Sequence, residues 1–214
     1  MPYRTVPLTT NEIYHIFNRG VAKLPIFYDK KDYTRFLKTL HYYQFKGPKP
    51  ALSLLRRYRD QQIDKNPKIV EILCYCLMPN HFHLMIRQLQ DGGTSEYISK
   101  VTNSYTKYFN TRYNRVGPLL QGQFKAVLVD NTEQLLHLSR YIHLNPIASH
   151  LVDNLAKYPF SSYLDYINST TGNITTKNLL LTLFKSPKSY EQFVTDQIDY
   201  SITLESIKHK LLEE

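Results

Sequence analysis

The sequence predicts an α+β protein built on an antiparallel sheet of four strands, with two helices on one face. The first observation is the order of its periodic segments, which is strand, helix, strand, strand, helix, strand. That order is the one found in ferredoxin-like folds. The second observation is size, because 214 residues, of which 42% are hydrophobic, are enough for one substantial core.

Each of the six segments shows the periodicity of its type. Apolar residues alternate in the strands and recur every three or four residues in the helices. The second and third strands are expected to be joined at 78–81, where Pro79 and Asn80 are typical turn residues. In chain order, the predicted ranges are a strand over 13–18, a helix over 30–45, strands over 69–77 and 82–88, a helix over 97–113 and a strand over 124–129.

Two further segments are expected to lie outside the sheet and its helices. Residues 51–68 are rich in charged residues and predict a solvated helical insertion, with contact to a nucleic-acid backbone as the alternative. A polar run over 169–173 leads into a weakly helical segment. We therefore predict one domain over residues 1–168 and a helical C-terminal tail over residues 169–214.

A pair of histidines marks the predicted third strand. Alternate residues of a strand share a face, so His81 and His83 project from one face while Phe82, Leu84 and Ile86 project from the other. The first face would carry two possible metal ligands and the second would join the core. A His-x-His pair in a strand is also compatible with a simple polar face, so both interpretations stay open.

A third helix is predicted after the fourth strand. Asp130 and Glu133 form a capping pattern at its start, and Pro146 is expected to end it at about Asn145. Tyr141 and Asn145 are four residues apart and therefore share a helix face. The alternatives are a tyrosine that packs against a neighbour and an asparagine that only ends the helix. Packed on the histidine face of the sheet, this helix would complete a site.

The composition points to a polyanionic partner. The formal net charge is +9 and the pI is about 9.4, which is typical of nucleic-acid-binding proteins. The 18 tyrosines offer flat surfaces on which unpaired bases can stack. Cations on and after the second helix are the candidates for phosphate contact, with surface solvation as the alternative: they are Lys100, Lys107, Arg112 and Arg115.

The cysteines and the hydropathy indicate the compartment. Cys74 and Cys76 are two apart in an apolar run, which predicts two reduced thiols in the core rather than a disulfide. Reduced thiols fit the cytoplasm. We expect no membrane association, because no apolar stretch reaches the ~18 residues that span a bilayer and the N-terminus lacks a signal-peptide core.

Two segments together resemble a known family. The run MPNHFHLMI, over 78–86, and the run LSRYIHLNPI, over 138–147, resemble the single-tyrosine HUH transposases of the IS200-like group, specifically the REP-associated tyrosine transposases. YHIFNRG, IFYDKKDYTRFL and YPFSSY are similar to further segments of that family. The resemblance spans roughly residues 12–166. One departure is Leu119-Leu120-Gln121, where relatives commonly carry Leu-Trp-Gln.

The resemblance implies an activity and a site. It implies that residues 1–168 form an HUH catalytic domain in which His81, His83 and Asn145 bind Mg²⁺ or Mn²⁺ and Tyr141 is the nucleophile. The enzyme would cleave and rejoin single-stranded or hairpin DNA through a covalent 5′-phosphotyrosine, as a monomer or homodimer. Of the other histidines on this helix, His137 is expected to be hydrogen bonded, with proton transfer to Tyr141 as the alternative. His143 is expected to be peripheral.

Two other functions are compatible with the sequence. The same sheet topology serves non-catalytic nucleic-acid-binding modules, and fold does not determine function. Such a module would explain the charge and the tyrosines, but not the paired histidines or the Tyr/Asn helix. A metal-dependent hydrolase that uses water is the third interpretation, and it would leave no covalent adduct between protein and DNA.

Overall fold

A computed structural model describes residues 7–47, 52, 65–168 and 173–212, with side chains to residue 206 in the last helix. The predicted charged insertion, 51–68, therefore lies mostly outside the described residues. The sheet and its first helices are β1 (Ile13–Arg19), α1 (Lys30–Tyr43), β2 (Val70–Met78), β3 (His81–Gln88), α2 (Gly93–Arg112) and β4 (Lys125–Leu128). The later helices are α3 (Thr132–Ala148), α4 (Tyr163–Ile167), α5 (Asn178–Leu181), α6 (Pro187–Thr195) and α7 (Ile198–Leu212).

The four strands form one sheet in the order β2-β3-β1-β4. Every neighbouring pair is antiparallel, and the two-residue turn Pro79-Asn80 joins β2 to β3. This is the ferredoxin-like arrangement, so the predicted fold class is confirmed. The two central strands, β1 and β3, are paired along their whole length.

The helices α1 and α2 cover one face of the sheet. Phe82, Leu84 and Ile86 of β3 are buried in this first core, as their alternation predicts. Phe36 of α1 and Phe109 of α2 are completely buried against them. One set of alternate residues in β3 therefore anchors the sheet and leaves the other set for the opposite face.

The opposite face is covered by α3 together with helices from the C-terminal part of the chain. Its core contains Met85 of β3, Ile142 of α3 and Tyr190 of α6. Cys74 and Cys76 lie in the same core, buried and free of disulfides, as predicted. Segments beyond residue 168 thus help to cover the sheet, while the division into domain and tail stays a prediction.

Residues 158–163, the YPFSSY segment, cover the outer edge of β2. The Phe160 carbonyl accepts from Leu77 N (2.9 Å), and Ser162 N donates to the Tyr75 carbonyl (3.0 Å). The Ser162 hydroxyl also accepts from Tyr75 N at 2.9 Å. An uncovered strand edge would expose unpaired backbone groups. This segment closes the edge and carries Ser162 into the second core.

Helix α3 departs from its predicted boundaries at both ends. Its N-cap is Asn131, whose side chain accepts from Gln134 N, so the predicted Asp130/Glu133 capping pattern is wrong by one residue. Pro146 lies inside the helix, which continues to Ala148. A proline removes one helical hydrogen bond, but Ser149 N still donates to the Asn145 carbonyl at 3.0 Å. Burial of this turn against the second core offsets the lost bond.

A buried carboxylate joins the start of α1 to the end of α2. Asp32 is fully buried and accepts hydrogen bonds from Tyr113 Oη (2.8 Å), Tyr108 Oη (3.1 Å) and Arg112 Nη1 (2.6 Å). Arg112 also pairs with Asp29, the N-cap of α1. Arg112 therefore pairs with one buried and one exposed carboxylate.

We expect Asp32→Asn to lower the free energy of unfolding strongly. The amide nitrogen would face donors that need an acceptor, and breaking a buried ion pair costs about 3 kcal/mol or more. Asp29→Asn is the matched control, because it removes a charge from the same arginine while an asparagine still caps the helix. Urea unfolding should show a large loss for the first variant and little change for the second. Equal losses would contradict the stabilising role of the buried carboxylate.

His143, expected to be peripheral to the chemistry, is fully buried in the second core and does not line the cleft that holds Tyr141. The helix face that carries it turns inward because α6 packs over it: Tyr190 Oη lies 2.7 Å from His143 Nδ1. Burial lowers the pKa of its imidazole to about 3. His143 is therefore neutral at neutral pH.

We expect His143 to contribute to acid destabilisation. In the unfolded chain its pKa is close to 6.5, so between about pH 6.5 and pH 3 the unfolded state binds the extra proton. The free energy of unfolding consequently rises with pH in this window, and stability is lost as the pH falls. In urea unfolding, His143→Gln should show a shallower pH dependence than the wild type, by up to about 1.4 kcal/mol per pH unit. Parallel pH profiles would contradict a buried neutral imidazole.

Candidate active site

His81 and His83 both project from the sheet face that α3 covers. Their rings lie 4.9 Å apart and are nearly perpendicular, at 88°. His83 is buried, with 6% of its surface exposed, and His81 is partly buried. The two imidazoles therefore open on the same space, as the alternation of β3 predicts.

Hydrogen bonds orient both rings. His81 Nδ1 lies 2.7 Å from Asn80 Oδ1; since an amide oxygen only accepts, Nδ1 carries the proton and Nε2 keeps its lone pair. His83 Nδ1 lies 2.9 Å from His15 Nε2. With His83 as the donor in that bond, its Nε2 carries the lone pair that a cation would need. Partners of this kind orient the histidine ligands of metal sites.

His15 is a site residue that sequence reasoning missed. It lies on β1, and its ring stacks on His83 with centroids 5.1 Å apart. Two features of the sequence could have predicted its position. His15 alternates with Tyr14 and Ile16 in the YHIFNRG segment, and the predicted topology places β1 beside β3. Burial lowers the pKa of both His15 and His81 to about 4. Both rings are therefore neutral at neutral pH, as metal ligation requires.

Helix α3 brings Tyr141 to the two histidines. The Tyr141 ring is 5.4 Å from the His83 ring, at 80°, and 40% of the residue's surface is exposed. Asn145, one turn later, is 9% exposed and donates from Nδ2 to the Tyr141 carbonyl at 2.7 Å. The structure therefore brings three of the four residues that the motifs single out to one place, and Asn145 lies beside Tyr141.

The surroundings of Tyr141 keep its phenol protonated at rest. Desolvation is the largest effect and raises its pKa, and the Glu205 carboxylate raises the pKa further. A hydrogen bond from the Asn145 side chain acts in the opposite direction. Positive charge would have to enter the cleft for the phenolate to form readily.

His81, His83 and Tyr141 line a cleft of about 710 Å³, and Asn145 is not among its lining residues. The cleft is also lined by cations that the sequence analysis did not select. Arg19 at the end of β1, Lys23 and Lys125 on β4 line its walls. Arg19 Nε donates to Gln121 Oε1 at 2.6 Å, and Lys125 Nζ lies 5.9 Å from the centre of the Phe17 ring. The cleft thus carries positive charge on the side formed by β1 and β4.

Glu205 of α7 is the acidic residue among those that line this cleft. It comes from the predicted C-terminal tail, and α7 packs beside α3. Nothing in the local sequence around Glu205 indicates this position, because it depends on how α7 packs. Across the described ranges, no three His, Cys, Asp or Glu side chains cluster as a metal site. The side chains near Tyr141 that could bind a metal include the two imidazoles, the Asn145 amide oxygen and the Glu205 carboxylate.

The four cations predicted to contact DNA lie elsewhere. They are on α2 or just after it, on the other side of the sheet, and are not among the described residues that line the cleft. Lys100 pairs with Glu96 at 2.6 Å, Arg115 donates to Asn110 Oδ1 at 2.9 Å, and Arg112 pairs with the two carboxylates described above. Lys107 lies in the same helix. As DNA contacts, these residues stay predictions.

His137 is exposed and lies one turn before Tyr141 on α3. Its Nδ1 accepts from Arg140 at 2.7 Å, and its Nε2 lies 3.7 Å from a Glu133 carboxylate oxygen. It is thus a hydrogen-bonded helix histidine, the first of the two expectations. It does not line the cleft that holds Tyr141.

Comparison with known proteins gives a match to one family model. The family described as "Transposase IS200 like" matches residues 55–145, a segment that contains both histidines, Tyr141 and Asn145. The resemblance seen in the sequence motifs is therefore confirmed. No curated protein sequence gives a significant match.

A solved structure shares the fold. It is described as the REP-associated tyrosine transposase bound to a REP hairpin, and it superposes with a TM-score of 0.52 over 82% of this chain and 93% of that one, at 16% sequence identity. Separately, none of the helices described here is long and apolar enough to cross a membrane.

Proposed function

We propose that this protein is a transposase that cleaves and rejoins single-stranded or hairpin DNA through a covalent 5′-phosphotyrosine. The observation that carries the proposal is the meeting of Tyr141 on α3 with His81 and His83 on β3 at one cleft, with the Tyr141 and His83 rings 5.4 Å apart. Asn145 lies one helical turn from Tyr141 and forms a hydrogen bond with its carbonyl. The family match supports the transposase class. The hairpin bound to the structural relative supports a hairpin with unpaired flanks as the substrate.

In this reaction, Tyr141 is the nucleophile. Its phenolic oxygen attacks the scissile phosphorus while the bond to the 3′ oxygen breaks, so the phosphate joins the tyrosine and the departing strand takes a proton as its 3′-hydroxyl. The phosphodiester bond energy is retained in the phosphotyrosine. A second 3′-hydroxyl can then attack the same phosphorus, which releases Tyr141 and joins the new strands without ATP.

The site residues fit a divalent cation. His81 Nε2, His83 Nε2 and the Asn145 side-chain oxygen are the ligands we propose, because each imidazole has its Nδ1 occupied by a hydrogen bond. A bound cation would supply Lewis-acid stabilisation of the negative charge on the phosphate. Two nitrogen ligands suit Mn²⁺ better than Mg²⁺, which prefers oxygen, and we therefore propose Mn²⁺ or Mg²⁺ with Mn²⁺ the stronger binder in vitro.

We propose that the three cations of the cleft bind DNA phosphates. Arg19, Lys23 and Lys125 would bind the phosphates that flank the scissile bond, and their charge would favour the phenolate of Tyr141. A phosphate chain that reaches the tyrosine along β1 and β4 would pass all three. Lys100, Lys107, Arg112 and Arg115 remain proposed contacts for DNA outside the cleft.

The proposal also covers the location, the assembly and the domain boundaries of the protein. The two free, buried thiols support a reducing, cytoplasmic location. We keep a monomer or a homodimer as the assembly, and residues 1–168 as the catalytic domain with 169–214 as its tail. A non-catalytic nucleic-acid-binding module is the alternative function, and the absence of strand cleavage would favour it.

We expect Tyr141→Phe to abolish the covalent adduct and to leave DNA binding near that of the wild type. Phenylalanine keeps the ring and removes only the nucleophilic oxygen. The measurement is a denaturing gel after incubation with labelled single-stranded oligonucleotides and Mn²⁺. Tyr28→Phe is the control, because Tyr28 is also exposed, at 55%, but lies outside the cleft. Adduct that persists in Tyr141→Phe would assign the nucleophile to another tyrosine.

Calorimetric titration with Mn²⁺ should separate the histidines by role. His81→Ala and His83→Ala each remove a proposed ligand and should abolish measurable binding. His15→Ala removes only the partner that orients His83 and should weaken binding by about 10- to 100-fold. His137→Ala, at an exposed histidine outside the cleft, should bind Mn²⁺ like the wild type. Unchanged affinity in both His81→Ala and His83→Ala would refute the metal site.

A further inference from the structure

We infer that a buried chain of hydrogen bonds, Tyr190–His143–Ser162, sets the rotation of α3 on the sheet and so positions Tyr141 and Asn145 over the histidines. This inference rests on the proposed function, since it assigns these three side chains a positioning role in that reaction. None of them touches the cleft. They act through the helix that carries the nucleophile.

The imidazole of His143 lies between two hydroxyl groups. Its Nε2 is 2.8 Å from Ser162 Oγ, and its Nδ1 is 2.7 Å from Tyr190 Oη. All three side chains are completely buried. A neutral imidazole has one donor nitrogen and one acceptor nitrogen, so it can satisfy both hydroxyls at once. The burial that lowers the His143 pKa is consistent with this neutral form.

The chain connects α3 to the part of the structure that carries the metal ligands. Ser162 belongs to the edge segment of β2, where its Oγ accepts from Tyr75 N at 2.9 Å. The strand β2 pairs directly with β3, with Cys76 opposite His83. Backbone and side-chain hydrogen bonds therefore lead from His143 to the strand that holds His81 and His83.

At its other end, the chain connects α3 to α6. Tyr190 belongs to α6, and its hydroxyl oxygen lies 2.7 Å from His143 Nδ1. Ser139 and His143 are four residues apart and share the buried face of α3. The Ser139 hydroxyl donates to the Leu136 carbonyl within the helix. The hydrogen bond to Tyr190 therefore holds α3 at His143.

The position of His143 explains why this attachment matters for the site. It lies two residues from both Tyr141 and Asn145, and at about 100° per residue its side chain leaves α3 on the face opposite theirs. The contacts of α3 with the second core are otherwise mainly apolar and non-directional. Pro146 also removes a backbone donor in the adjacent turn. A rotation of the helix would leave buried donors and acceptors unpaired, which is strongly unfavourable.

The chain offers a matched control in Tyr166. It is also completely buried, its ring lies 4.8 Å from the Tyr190 ring, and its hydroxyl donates to the Leu73 carbonyl of β2 at 2.5 Å. Tyr166→Phe and Tyr190→Phe therefore each remove one buried phenolic hydroxyl from the same cluster. Only Tyr190→Phe removes a hydrogen bond to α3.

The first measurement is the rate of adduct formation against DNA concentration, with saturating Mn²⁺. We expect Tyr190→Phe to lower the maximal rate by about tenfold or more, because small misplacement of a reacting group is costly, with half-saturation by DNA unchanged. Tyr166→Phe should stay within about twofold of the wild type at a similar melting temperature. Equal losses of rate in the two variants would overturn the positioning role and leave only a stabilising one.

The second measurement does not depend on activity. Hydrogen exchange of the α3 amides over 141–149 should be faster in Tyr190→Phe than in the wild type, and unchanged in Tyr166→Phe. If the wild type forms no adduct, the proposed function fails, and exchange alone decides whether Tyr190 holds α3. Wild-type exchange in Tyr190→Phe would overturn the inference even where the enzyme is active.

Discussion

The antiparallel pairing of β1 with β3 is the interaction on which the rest of the site depends. Its register sets Phe17 opposite His83 and His15 opposite Met85, so the ring of His15 lies diagonally against that of His83. Because alternate residues of a strand face opposite ways, a shift of one residue would carry the histidines into the α1/α2 core. Phe82, Leu84 and Ile86 prevent that shift, since they would then face α3. The hydrophobic alternation of β3 thus fixes the register that keeps His81 and His83 on the cleft face.

The two faces of the sheet are covered in different ways. The α1/α2 face is a closed core, and the carboxylate of Asp32 locks its two helices together where they meet. The other face is divided, with apolar and hydrogen-bonded packing around Met85 and His143 towards one end and the cleft of His81, His83 and Tyr141 towards the other. Helix α3 crosses from one part to the other. A nucleophile carried on such a helix is placed by packing that lies outside the cleft.

The distribution of charge follows the same division. The net charge of +9 does not predict where the positive residues act, since Arg112 is paired with Asp29 and with the buried Asp32. Arg19 and Lys125, in contrast, line the cleft, and they lie on or at the end of β1 and β4, the two strands on one side of β3 in the sheet. The carboxylate of Glu205, on α7, brings the opposite charge to the same cleft. The balance of charge around Tyr141 is therefore set by three elements that are far apart in the chain.

Local periodicity was sufficient to predict the order of strands and helices along the chain. It also predicted the shared face of His81 and His83 and the shared face of Tyr141 and Asn145, because these depend on two-residue and four-residue spacings. The motifs also carried the family resemblance, which the match over residues 55–145 confirms. Other features depend on which surface covers a residue, and a single sequence does not encode that in any local pattern. The inward turn of His143 requires α6 above it, and the helical conformation around Pro146 requires a core that offsets the lost hydrogen bond. The contact of His15 with His83 requires the register of β1 on β3, and the place of Glu205 requires α7 to pack along α3. The spacing of residues thus determined which side chains could act together, while tertiary packing decided what surrounds them.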